Sequence, residues 1–486
     1  MTLSIDRKRI YFLFTLLSTT ITICLGIRYI ISNEISILFY TLLSLLLCCI
    51  LWCFNNIEYY IIHLIFYITI FIFLVSRPTI DYFKTGALST YQGDVYKFSF
   101  LVVIISIIGL HIGSIITTKR VPLQNKMKNK NMGYIKKVRL MALVIFGLSY
   151  PFYVLRLVER LLFRLNTTYY DYYANFKSEL PYFTYILSSF MLYSLCIYLA
   201  TKPRKLYATL VLLALIFANA IHLLIGTRNP FILSLLFAFV YYFMRNQGER
   251  GLWIGFKEKL IIYIGTPVLM IIMGILNYVR DNVEVAGNSF SDIFLDFIYK
   301  QGTSFGVLAH GYLYNSNLPV REVSSYTFGP IIEYFTKGNI GVLFGGKAFE
   351  HTTNSTELAL KSNSYAHNIS YITLKEKYLD GHGIGSSYIM ELYTDFGFIG
   401  VFVFSILLGV LFVLIMKIAY SDRILLFGIG LFILNNLFFM PRSSFSESFL
   451  NLFTMQFWGI IAIIFFGAKT MTKKHNIRHK EKRINV

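Results

Sequence analysis

Apolar runs of about twenty residues alternate with short polar breaks along this chain, until one long polar stretch, Arg280 to about Asp395, interrupts them. Nine runs precede the interruption, at about 10–30, 35–54, 58–75, 96–117, 139–157, 182–201, 206–225, 229–244 and 260–279. Three follow it, at about 396–416, 424–440 and 450–468. Nearly all are long enough to cross roughly 30 Å of hydrocarbon as a helix. The run at 229–244 is short, and could be tilted or form a partly re-entrant pair with its predecessor. The pattern predicts an all-α polytopic membrane protein, a bundle of about 12 transmembrane helices with one large, mostly helical outer loop. The expected organisation is an N-terminal bundle over 1–279, the loop over 280–395, three further spans over 396–468 and a basic tail over 469–486.

Composition agrees. Of 486 residues 56% are hydrophobic and 14% charged, where a soluble chain is nearer a quarter charged. Mean hydropathy is +0.60. In a soluble protein a net charge of +20 would suggest nucleic acid as a partner. Here most of the 45 lysines and arginines gather at 1–9, 118–139, 202–205, 245–259, 417–423 and 469–486, all on one side of the membrane if the N-terminus is cytoplasmic. The expectation is a membrane protein with both termini in the cytoplasm, the large loop outside and no nucleic-acid partner. The basic tail could also touch anionic lipid, though topology alone explains it. All five cysteines lie in apolar runs, so no disulfide framework is expected. Cys49 and Cys53 share a helix face with no His or carboxylate beside them, and read as packing residues. The segment Asp6-Arg7-Lys8-Arg9 leads into a full-length run with no small-residue cleavage site, so the first helix is expected to stay.

Candidate chemistry concentrates at the outer face. The long polar stretch is nearly balanced in charge and rich in Tyr, Asn, Ser, Gly and His. Such a surface suits stacking and hydrogen bonding to sugars and suits a polyanion poorly; a solvated cap with no ligand is the alternative. Two amphipathic stretches, 289–299 and 364–379, read as helices lying near the membrane. Arginine at the outer ends of spans runs against the charge bias. Arg228 sits in the tight turn Gly226-Thr-Arg-Asn-Pro230, Arg280 ends the ninth run, and Arg442 lies in Met440-Pro-Arg-Ser-Ser444. Arg156, Arg160 and Arg164 recur every four residues on one helix face. A guanidinium fork matches phosphate oxygens; snorkelling to head groups or pairing with acids would also hold an arginine there. Of the four histidines in the loop, His310, His351, His367 and His382, the favoured proton acceptor is His367, within the second amphipathic stretch. His382, between glycines, could be a turn residue. Glu391, beside Tyr393 and Asp395 at the entry of the tenth run, is the candidate carboxylate. No HExxH, spaced carboxylate pair, P-loop or GxSxG occurs in the loop, so neither a metal nor a nucleotide cofactor is expected; Gly383-Ile-Gly385-Ser-Ser lacks the spacing of a dinucleotide fingerprint.

The string from Gly381 through Gly383, Gly385, Ser386 and Glu391 to Gly397, running straight into an apolar span, resembles the Wzy-type oligosaccharide repeat-unit polymerases of O-antigen and capsule synthesis. So does Gly226-Thr-Arg-Asn-Pro230, and so does one large outer loop ahead of the last spans. The resemblance implies an undecaprenyl-pyrophosphate-linked glycan as donor and a second lipid-linked unit as acceptor, with no metal. It implies a pyrophosphate-binding role for Arg228 and Arg280, with Arg442 a further candidate. His367 or Glu391 would then be the base on the acceptor hydroxyl. Implied partners are membrane lipid, a chain-length regulator and a flippase. A lipid-linked glycan ligase and a polysaccharide flippase or transporter are the competing readings.

Overall fold

A computed structural model describes residues 2–120, 132–248, 253–281, 289–320, 325–351 and 353–484, and among these the only regular elements are helices. Ten helices among the described residues are long and apolar enough to cross a membrane. They coincide with ten of the twelve predicted runs. The other two runs also form helices. Asn229–Gly248 is a full 20 residues, but ends on the polar Arg245-Asn-Gln-Gly. Ile424–Leu437 is only 14 residues and gives way to short 3₁₀ turns, beginning with Met440–Arg442. Pro441 has no N–H to donate to the Leu437 carbonyl, so the α-helix does not run on through this segment.

The centre of the bundle is the pairing of Gly93–Arg120 with Tyr388–Ala419. Here the two backbones touch. A Cβ on Gly113 would stand 2.2 Å from the carbonyl oxygen of Ile406, and one on Gly409 would stand 2.2 Å from that of Leu110. Small residues are what let membrane helices approach this closely. Polar groups in the seam are paired across it. The Ser106 hydroxyl lies 2.6 Å from the Tyr388 hydroxyl and 2.9 Å from that of Ser405, while His63 Nε2 is 3.1 Å from the Gly409 carbonyl.

Tyr388–Ala419 is not one continuous rod. Gly397 breaks it with φ +64° and ψ −163°, a conformation suited to glycine. The apolar span begins after this break, as the sequence pattern predicts, and the turns before it belong to the long polar loop. Glu391 and Asp395 therefore stand on a short helix that abuts the membrane helix.

The loop is mostly helical, as expected. Its first amphipathic stretch forms Phe290–Gln301, started by a capping box between Ser289 and Asp292. The second forms two helices, Tyr365–Leu374 and Glu376–Leu379, because Lys375 takes a positive φ of 49°. Asp395 fastens the loop's middle to the bundle. Its carboxylate accepts from the Ser325 hydroxyl at 2.9 Å and from the Tyr326 and Thr327 amides at 3.1 and 2.8 Å.

Candidate active site at the outer helix ends

A cavity of about 300 Å³ opens where three segments distant in sequence converge. Pro330, Ser364 and Ala366 come from the loop. Gly385, Ser386 and Glu391 come from the turn and short helix ahead of the Gly397 break. Arg442, Ser443, Ser444 and Glu447 come from the 3₁₀ turns after Ile424–Leu437. Arg442 and Glu391 are thus brought to one cavity, together with Gly385 and Ser386 of the motif string.

Glu391 is 1% exposed, and both its carboxyl oxygens accept hydrogen bonds. One carboxylate oxygen accepts from the Ser386 hydroxyl at 2.6 Å. The other accepts from the Ser444 hydroxyl and the Phe445 amide, both at 2.9 Å. It therefore ties the glycine turn to the 440–448 segment. Gly385, at φ +83°, supplies the left-handed backbone that turns Ser386 toward Glu391. Gly383 plays a neighbouring part, since the Ile384 amide donates to Ser370 Oγ at 3.0 Å.

Glu447 is the second carboxylate of the cavity. Its side chain is exposed by surface area, while the carboxyl lies among the cavity-lining residues. Loss of water around it pushes the carboxyl above its ordinary value, and a hydrogen bond from Ser443 offsets part of that rise. A carboxylate held this way is a stronger base than one in free solution. Arg442 lines the same cavity. Its Nη1 donates to Gln301 Oε1 at 3.1 Å, and the guanidinium lies 5.8 Å from the Phe73 ring centre. Phe73 is delivered by the π-helical turn Phe71–Val75, an irregularity often found at functional sites.

His367 is not turned into the cavity, although Ser364 and Ala366 of the same helix line it. Its Nδ1 lies 2.8 Å from the Tyr378 hydroxyl, and burial lowers its pKa. Burial pushes the Tyr378 phenol up to about 12. The two form a neutral hydrogen bond inside the loop at neutral pH. His382 stacks on Tyr170, ring centres 3.8 Å apart, with its Nδ1 3.1 Å from the Lys377 carbonyl. It is a docking contact for the turn.

Arg228 is buried, 7% exposed, at the head of Asn229–Gly248. That helix packs on Ile424–Leu437, and the predicted threading makes the two antiparallel. On that threading the Arg228 turn is expected on the side of Arg442. The turn also rests on the loop system. Gly226, at φ +96°, brings its backbone against Tyr169, whose neighbour Tyr170 carries His382. Arg280 belongs to Phe256–Asp281, but its side chain lies outside the described residues. On the arginine face, Arg156 covers the Tyr185 ring at 4.8 Å and Arg164 donates to the Thr167 carbonyl. Glu159 pairs with neither; it accepts from the Ser178 hydroxyl at 2.8 Å and the Glu179 amide at 2.7 Å.

Sequence reasoning missed Glu447, Ser443 and Ser444 as site residues. A signal existed in Ser443-Ser-Phe-Ser-Glu-Ser448, a polar cluster in a turn between two apolar runs.

An all-helical, multi-pass membrane protein with an arginine and two carboxylates around a cavity at the helix ends defines the class. The family model for O-antigen polysaccharide polymerase Wzy matches residues 14–475, nearly the whole chain, and the protein belongs to that family. It is a polymerase that joins lipid-linked repeat units in the membrane, and the ligase and flippase readings are not favoured. No curated protein and no solved structure matches the chain.

Proposed function

We propose that the 300 Å³ cavity is where repeat units are joined, from an undecaprenyl-pyrophosphate-linked donor to a second lipid-linked unit, at the outer face of the cytoplasmic membrane of a bacterium. Both termini then lie in the cytoplasm, in line with the Lys and Arg bias. The observation that carries the reading is the meeting of Arg442 with two carboxyls, Glu391 and Glu447, in one cavity.

In the step, an acceptor hydroxyl oxygen attacks the anomeric carbon of the donor's first sugar. The bond from that carbon to the pyrophosphate oxygen breaks, and the lipid pyrophosphate leaves with the electron pair. The hydroxyl proton passes to Glu447. Arg442 takes up charge on the leaving pyrophosphate, with Arg228 and Arg280 as further contacts at the same face. Glu391 holds the two walls in register, while His367 sets the loop through Tyr378. The leaving group is activated already, so the step as written needs no metal. A flippase that delivers lipid-linked units outside, and a chain-length regulator, are the partners such a reaction calls for.

The test is Arg442→Ala in cells lacking the native gene. The expected outcome is single repeat units on the surface at normal protein abundance. Long chains would refute the assignment.

A further inference from the structure

A cavity of about 300 Å³ lies at the lower limit for ligand pockets. It takes reacting sugars, and a growing polymer must continue outside it. The structure offers one direction. Helix Gly329–Thr336 begins at the cavity wall with Pro330 and packs on Phe445–Ser448, the turn that carries Glu447. One helical turn on, about 6 Å along the axis, stands Tyr334. Tyr334 lies within electrostatic reach of Tyr185, and its hydroxyl accepts from the Met455 amide at 3.3 Å. Tyr182 and Tyr185 stack with ring centres 5.7 Å apart and planes 27° from parallel. They are 53% and 45% exposed. Arg156 lies over Tyr185, and the Asn339 amide donates to the Tyr182 hydroxyl.

We propose that Tyr182, Tyr185 and Tyr334, with Asn339 and Arg156, form an extended saccharide subsite on which the growing chain lies beyond the cavity. The inference rests on the cavity being the place of joining. Sugar rings present apolar C–H faces and a rim of hydroxyls. Near-parallel tyrosine rings meet the first, while an exposed amide and a guanidinium meet the second. Tyrosines that merely anchor a helix in the interface need no such polar fringe and no connection to a cavity. The shelf lets the enzyme keep hold of a chain already several units long, which favours further joining over release.

The discriminating variant is Tyr182→Leu with Tyr185→Leu, which keeps apolar bulk for lipid and removes the rings. Asn339→Ala, at an exposed position outside the bundle, is the second variant. At equal abundance both are expected to join units but to stop at short chains, with the larger shift in the leucine pair. Binding of soluble polymer released from the host's lipid-linked glycan to the detergent-purified leucine pair should weaken roughly tenfold for the lost aromatic surface. Wild-type chain length in the leucine pair and in Asn339→Ala would make the tyrosines membrane anchors and overturn the proposal. Loss of even the first joining would overturn it too, by placing these rings within the reacting site. Failure of the cavity reading shows separately, as long chains from Arg442→Ala.

Discussion

The Ser444 hydroxyl donates to the Glu391 carboxylate at 2.9 Å across 53 residues of sequence. Between the two lies an entire hairpin of apolar helices, so the bond closes the site from the two ends of that hairpin. The neighbouring Phe445 amide and Ser386 hydroxyl complete the clasp. Removing its acceptor leaves three donors, one of them a buried backbone N–H.

Glu391→Ala is therefore expected to destabilise the protein by about 3 kcal/mol, since each stranded buried donor costs roughly 1–3 kcal/mol and hydroxyls can rotate to other partners. Glu391→Gln, which keeps one acceptor oxygen, should lose less. Thermal unfolding in detergent checks the order; equal midpoints for wild type and Glu391→Ala would contradict the clasp.

Glu447→Gln is expected to leave the fold intact and to lower joining by about 10²–10⁴-fold, the usual worth of a general base. The pH dependence follows from its raised carboxyl pKa. Joining needs the deprotonated form, so wild-type activity rises as pH climbs through that raised range, and the variant loses this limb. Stability moves the opposite way. A carboxyl whose folded pKa is raised lends stability that is full below its unfolded pKa and is lost as pH rises through the folded value. Initial rates of chain extension in vesicles, measured across pH, test both the size and the sign.

His367→Ala tests the other candidate base. Its neutral bond to Tyr378 is worth about 1 kcal/mol. The expectation is a slightly less stable protein that still makes long chains. Loss of chains at normal abundance would return the role of base to His367.

Gly409→Ala should be costly far from the cavity. The added Cβ would meet the Leu110 carbonyl oxygen at 2.2 Å, and the backbone opposite has no rotamer to change. A loss of about 1–3 kcal/mol is expected from such overpacking. Gly147, where an added Cβ would meet nothing within 4 Å, is the control and should tolerate alanine.

The membrane made the fold legible. Hydrocarbon demands long apolar helices, so the runs announce themselves, and a polar stretch of domain size stands out against them. At two of the places where the helices differ from the runs, 229–244 and 424–440, polar residues or proline sit at a run's end. The site was legible in pieces. Arg442 breaks the charge bias, and Glu391 belongs to a recognisable string, so both could be singled out. Their meeting could not, because it depends on how the hairpin after Gly397 returns. Glu447 lay hidden for a related reason: 3₁₀ turns carry no helical period, and a lone carboxylate there looks like surface. His367 occupies a promising position in sequence, but its helix turns the ring to Tyr378, a partner whose approach depends on the positive φ of Lys375.

The most direct measurement is chain extension by the purified protein in vesicles loaded with the host's lipid-linked repeat unit, comparing wild type with Arg442→Ala and Glu447→Gln. Wild type is expected to give polymer, and both variants unextended units at unchanged thermal stability. Wild-type chain lengths from either variant would contradict the central claim that units are joined in the cavity between Arg442 and Glu447.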